Sequence, residues 1–314
     1  MTPKASINQG RRQALKCLAY GGAGTLFTLS AGVLTPFDLA LAAGNPRAGK
    51  DAGLPLFLQI SDTHIGFNKE ANPDVVGTLA RTIALVNAMP QKPAMVIHTG
   101  DITHLSKASE FDTAAQLLKQ LNITELHTTP GEHDVADANV SEYFSRYGKP
   151  SQDRGYYSFD HHGVHFVSLI NVLNFKPNGL GALGNEQLEW LEKDLRGRSA
   201  STPIVVFTHM PMWTIYEAWG WGTSDADQAM SYLKRFGSVT VLNGHIHQIV
   251  QKVEGNITFH TARSTAYPQP NPGEGPGPGP LKVAAAELPG RLGVSNLTLQ
   301  NHPASLLITD TTLA

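Results

Sequence analysis

Five apolar runs in this chain stop abruptly on side chains that bind protons or metals, and that recurrence limits the folds open to it. "LQISDTH" ends on Asp62 and His64, and "VIHTGD" ends on Asp101. "LHTTPGEHD" releases Glu132, His133 and Asp134 together. "VVFTHM" ends on His209, and "VLNGHIH" on His245 and His247. Runs this short and apolar read as strands buried on both faces. In α/β sheets the carboxyl ends of the strands open onto a shared crevice. The polar ends should therefore meet in one site of carboxylate oxygens and imidazole nitrogens. Mixed ligands of this kind suit Zn, Fe and Mn better than Mg or Ca. They outnumber what a single ion takes, so two metal ions are expected.

Helical patterns fill the gaps between the strands. Residues 72–89 read as a helix capped by Asn72 with Pro73 at its first position. Residues 106–121 read as a second helix, capped by Ser106. Further helices are expected at 139–147, 185–195 and 225–236. Hairpins turn at His161-His162-Gly163 and at Glu254-Gly255-Asn256. A Pro/Gly-rich loop spans 268–280, and two strands occupy 292–311. No repeat and no linker divides 43–314, which reads as one α/β domain with a mixed sheet or two stacked sheets.

The first 42 residues read as an address rather than as fold. Arg11-Arg12 and Lys16 precede a moderately apolar, Gly-rich stretch, and Ala40-Leu41-Ala42 fits a small-residue cleavage site. This resembles a twin-arginine export signal, which implies the twin-arginine translocase as a partner and a periplasmic or secreted location. The alternatives are an ordinary N-terminal helix and a membrane anchor, for which Gly21, Gly22 and Gly24 make a poor span. The only cysteine, Cys17, lies in this segment, so the mature chain needs no disulfide. A formal net charge of −2 provides no basic field for nucleic acid.

The strand-end motifs stand in order as Asp62-Thr63-His64, Gly100-Asp101, Gly131-Glu132-His133-Asp134, His209 and Gly244-His245-Ile246-His247. Together they resemble the calcineurin-like metallophosphoesterases, whose pattern runs D-x-H, G-D, G-N-H-D/E, a lone H and G-H-x-H. The surroundings of "DITHLSKASEFD" are most similar to the branch of cyclic-nucleotide phosphodiesterases and related phosphatases. The resemblance implies a four-layer α/β/β/α sandwich of two mixed sheets and a binuclear metal centre. It implies Asp62, His64 and His247 as ligands of the first metal, with Asp101 bridging. It implies His209, His245 and the residue at 132 as ligands of the second. His133 would face the leaving group, and Asp134 would orient it by a hydrogen bond. Two metals lower the pKa of a shared water to about 7 and clamp the phosphoryl oxygens of a mono- or diester. The bridging hydroxide so formed attacks in line, and His133 protonates the departing oxygen.

One position departs from the pattern. Glu132 is anionic where the family has a neutral asparagine. A third carboxylate favours a harder pairing, Fe with Zn or Mn. The opposite outcome is that Glu132 swings away and leaves the second site weak. His104 is close enough to Asp101 in sequence to line the site, whereas His98, His127, His161, His162, His165 and His260 have no matching role. On the substrate side Trp213, Tyr216, Trp219 and Trp221 follow His209. Such a loop stacks a base, an aryl group or a lipid, or else packs on its own domain. The loop at 268–280 lies over the same mouth or is simply solvated, the latter being the stronger reading. The expected activity is an exported metal-dependent phosphoesterase acting on small-molecule or lipid phosphoesters. The alternatives are a sphingomyelinase-like phosphodiesterase and a non-catalytic metal-binding scaffold. His133 weighs against the scaffold, which has no use for a leaving-group histidine.

Overall fold

A computed structural model describes residues 26–30, 33–37, 56–123, 125–135, 140–151, 154–173, 179–301 and 304–314. The chain divides into two units, 1–54 and 55–314. In the first, β1 (Leu26–Ser30) and β2 (Val33–Phe37) pair antiparallel. The remainder of the expected export segment lies outside the described residues. Among the described residues, no helix is long and apolar enough to cross a membrane.

The second unit carries two mixed sheets. One contains β3 (Leu56–Ile60), β4 (Met95–His98), β5 (Glu125–Thr128), β12 (Gly293–Asn301) and β13 (Ala304–Thr312), in the order β13-β12-β3-β4-β5. The strands β3, β4 and β5 are parallel, and β12 and β13 extend the sheet as an antiparallel pair. The other contains β6 (Tyr157–His161), β7 (Val164–Ser168), β8 (Ile204–Phe207), β9 (Val239–Asn243), β10 (Gln251–Glu254) and β11 (Ile257–Thr261). Its order is β10-β11-β9-β8-β7-β6. Both expected hairpins form, β6–β7 and β10–β11.

The runs that form β3, β4, β8 and β9 have no polar face because these strands are buried on both sides, whereas β5, at the sheet edge, is only partly buried. Successive side chains alternate between faces. Phe57, Ile97, Val205, Phe207 and Leu242 meet between the sheets with Phe166 and Leu297. Their neighbours Leu58 and Val96 turn outward to α1 (Val75–Ala88) and α2 (Ala108–Leu118). On the other sheet Val206 and Val241 turn to α4 (Asn185–Leu195) and α5 (Ala226–Leu233). The result is helix, sheet, sheet, helix, as the resemblance implies.

Two helix starts differ from expectation. Asp74, not Asn72, caps α1, accepting from the Gly77 N–H at 2.8 Å. The Asn72 side chain is drawn away to the Ala266 carbonyl, at 2.6 Å. Lys107 stands at the cap of α2. Ser106 lies at φ 54° and its hydroxyl donates to the His133 carbonyl at 2.7 Å. The helix expected from 139 begins as α3 (Ser141–Tyr147). The last helix is the single turn α6 (Leu288–Arg291).

Candidate metal centre

Parallel neighbours β3, β4 and β5 end side by side, as do β8 and β9 of the facing sheet, so their loops share one crevice. The backbone there is tightly wound. Asp62, His64, Asp101, His245 and His247 all have left-handed backbone, with φ of 53°, 41°, 53°, 70° and 56°. Only Gly, and less often Asn, Asp or His, enters this region readily. Such strain concentrates at functional sites. Two glycines allow the loops to touch. A Cβ on Gly131 would lie 2.1 Å from Asp101 Oδ1, and one on Gly100, at φ 97°, 2.5 Å from His209 Nδ1.

Two groups of ligand atoms result. Asp62, His64 and His247 form one, and Glu132, His209 and His245 the other. Asp101 joins them, its Oδ2 lying 3.4 Å from both His64 Nε2 and His209 Nε2. Glu132 does not swing away. Its Oε2 lies 2.9 Å from His209 Nε2 and its Oε1 2.9 Å from His245 Nδ1.

The imidazoles are set for ligation by main-chain carbonyls. A carbonyl only accepts, so the ring nitrogen facing it carries the hydrogen. His209 Nδ1 donates to Thr99 O at 2.7 Å, and His247 Nδ1 to Tyr267 O at 2.6 Å. Each ring thereby presents the lone pair of Nε2 to the centre. Asp62 Oδ2, Glu132 Oε2, His209 Nε2 and His245 Nδ1 are buried without a hydrogen-bond partner. Orphaned polar atoms at this depth are costly. His209 Nε2 and Glu132 Oε2 are close without the alignment of a hydrogen bond, as two ligands of one cation would be. The residues fit a pair of metal ions, in donor type and in what they leave unsatisfied.

Charge is balanced unevenly across the cluster. Burial works to raise Asp62, but His247 and then His209 outweigh it and bring the carboxyl down to about 2. Burial opposes ionisation of Glu132 too, yet His245 and His209 hold it well below the usual range. Burial and then His133 and His247 press His64 well down. His133 itself goes up, because Asp101 and Glu132 outweigh its burial.

Asp134 requires a correction. It does not hydrogen-bond the His133 ring. Its Oδ2 accepts from the Ile102 and Gly131 N–H groups at 3.1 and 3.0 Å, and its Oδ1 from Thr103 N–H at 2.8 Å. It ties the β4 loop to the β5 loop instead. The His133 ring is oriented instead by the His104 carbonyl, which accepts from Nδ1 at 2.7 Å. His104 does line the cluster. Its ring stacks on His133 with centroids 4.8 Å apart, and its Nδ1 lies 3.4 Å from His64 Nδ1.

The aromatic loop is a second correction. Trp221 is fully buried, and Trp219 packs against it and Ile246. Trp213 packs on Phe259 beneath the outer helices. Trp219 and Trp221 are not available to stack a ligand, because they supply core to their own domain, whereas Trp213 is only half-buried. Tyr216 sits on Trp219 beside Gly273. Sequence reasoning missed Tyr267, whose ring stacks on His64 at 4.9 Å while its carbonyl fixes His247. It follows "TARSTA" with no motif to mark it, and its orienting contact is main chain.

A sequence model described as calcineurin-like phosphoesterase matches residues 55–249. A probable glycerophosphodiester phosphodiesterase from Arcobacter nitrofigilis is 26% identical over 230 residues, covering 68% of this chain and 79% of that protein. A probable cyclic nucleotide phosphodiesterase from Rhodopseudomonas palustris is 26% identical over 225 residues, covering 67% and 78% respectively. The crystal structure of a dimetal phosphatase from Danio rerio superposes with a TM-score of 0.62, at 14% identity, over 83% of this chain and 99% of that one. That likeness is one of fold.

Proposed function

The chain belongs to the calcineurin-like phosphoesterase family, and from that premise we propose that it is an exported, metal-dependent hydrolase of phosphate esters. The observation that carries this reading is the set of buried, partnerless donor atoms on Asp62, Glu132, His209 and His245, grouped about Asp101 and beside His133. Asp62, His64 and His247 would hold one ion and Glu132, His209 and His245 the other, with Asp101 lying between the two groups. When bound, the ions supply Lewis-acid polarisation of the phosphoryl group and lower the pKa of water.

The chain's own groups do the rest. His133, fixed through Nδ1 by the His104 carbonyl, has Nε2 left to deliver a proton to the leaving oxygen. Asp134 keeps the two loops that carry Asp101 and His133 in register. Three carboxylates around the ions favour a trivalent–divalent pair, Fe with Zn or Mn, because that pairing leaves the site positive toward phosphate. The relatives named for phosphodiesterase activity support a diester as the preferred substrate.

Metal analysis of the purified protein, with turnover on a small panel of mono- and diesters, tests the reading. Two ions per chain and faster diester hydrolysis are expected. A metal-free protein inert toward the whole panel would sink it. Export rests on Arg11 and Arg12. Replacing both with lysine should strand the precursor in the cytoplasm, and normal export of that variant would refute the twin-arginine route.

A further inference from the structure

The segment 268–280 is pinned to the metal loops. The Leu281 N–H donates to Pro268 O at 2.8 Å and closes its base. Gln269 Nε2 donates to the His245 carbonyl at 3.0 Å, and Gln248 Nε2 to the Pro270 carbonyl at 2.9 Å. Between this segment and the domain lies a cavity of about 620 Å³, within the range that takes small molecules. His247 forms part of its wall, so the cavity adjoins the metal cluster. Arg263 and Arg291 also line it.

Arg263 is poorly provided for. Its Nε is buried without a hydrogen-bond partner, and one terminal nitrogen reaches only the Arg291 carbonyl, at 3.5 Å. Glu274 lines the same cavity and Asp310 lies close enough to feel the Arg263 charge, but both carboxylates make their hydrogen bonds to other groups. Glu274 accepts from Asn271 at 2.9 Å, and Asp310 holds His260 and Ser295 at 3.1 and 2.6 Å. A guanidinium N–H removed from water and left without an acceptor is destabilising until one arrives. Carboxylate and phosphate match its fork of donors.

We propose that this cavity is an oxyanion subsite, in which Arg263, with Arg291 beside it, holds a carboxylate or second phosphate tethered to the ester whose phosphoryl group lies at the metal cluster. This rests on the phosphoesterase reading and narrows its substrate class to phosphoesters that carry another anion.

The test compares binding of 3-phosphonopropionate and propylphosphonate to the metal-loaded protein by calorimetry. The two differ only in the terminal carboxylate. The wild type should bind the carboxylated probe about tenfold tighter, the scale of one charge-assisted hydrogen-bonded pair. Arg263→Gln should bring the ratio to about one, and Arg263→Lys should restore part of it, which a folding defect would not allow. Propionate alone should bind at least about 100-fold more weakly than the tethered anion. Equal affinities for the two phosphonates in the wild type, a ratio that survives Arg263→Gln, or propionate binding as tightly as 3-phosphonopropionate would each overturn the subsite while leaving the phosphoesterase reading intact. Failure to bind either phosphonate would overturn both.

Discussion

Buried histidines occur in two places in this fold, and they are treated differently. His165, on β7, is fully buried with Asp160 Oδ1 at 2.8 Å on one ring nitrogen and Asp194 Oδ2 at 2.7 Å on the other. His260, on β11, is similarly enclosed by Gln251, Ser295 and Asp310. At the strand ends, His209 is equally buried, yet one nitrogen is fixed by a carbonyl and the other has no partner. A structural histidine has both nitrogens satisfied within the chain. His209, in the ligand set, has one satisfied while the other stays open.

The comparison can be broken by experiment, and the largest effect should come from Asp101. Asp101→Asn should cost about 10⁴ in kcat/KM, since the several kcal/mol of charge stabilisation from the ions depends on them being held. Metal content and Tm should fall together, and full metal loading would refute the bridging role. His133→Ala should lose about 10³ in kcat, within the usual range for a general acid, while metal stoichiometry is kept. A variant that lost its metals would make His133 a ligand instead.

The satisfied class should respond the other way. His165→Ala breaks the buried pair with Asp194 and should cost about 3 kcal/mol of folding stability, with metal content and kcat retained. Metal loss in this variant would erase the distinction between the two classes. The same cluster sets a pH dependence. Burial works against ionisation of Asp194, but His165 and Ser158 hold its carboxyl below the usual range. Its stabilising effect is therefore present above a pH of about 4, the unfolded value, and is lost as the pH falls through the lower folded value. Asp160 is shifted in the same direction but is exposed, and adds little. Denaturant midpoints measured from pH 6 down to pH 2 should fall less steeply in Asp194→Asn than in the wild type.

The smallest expected change sharpens the ligand class itself. Glu132→Asn should shift metal preference about tenfold toward Zn or Mn, a change of one charged ligand, and should lower KM for an anionic ester. An unchanged metal content with one limb missing from the pH–rate profile would make Glu132 a proton carrier. No change in either would make it a bystander.

The strands and the cluster at their ends were legible because both rest on local pattern. An apolar run buried on two faces has no polar alternation, and each of the polar residues that end the runs found a place in one crevice. What the sequence concealed depends on distant main chain. Asn72 looks like a cap until Ala266 claims its side chain. Asp134 looks like the partner of the adjacent histidine until three backbone N–H groups, two of them from the neighbouring strand's loop, surround it. The indoles after His209 look like a binding surface, and composition alone does not distinguish that from core.

The left-handed turns at Asp62, His64, Asp101, His245 and His247 bear on which positions are free to vary. At those sites the backbone disfavours most residue types, so a chemically adequate ligand such as glutamate or cysteine starts at a conformational disadvantage of about 1–2 kcal/mol. Glu132 and His209 lie outside that restriction. Glu132 begins a short turn of 3₁₀ helix, where any ordinary residue sits without strain. The loop after β5 therefore has a substitutional latitude that the loops after β3, β4 and β9 lack. A lineage could exchange one ligand there, and with it the charge of the whole cluster, without rebuilding the backbone of any other strand end.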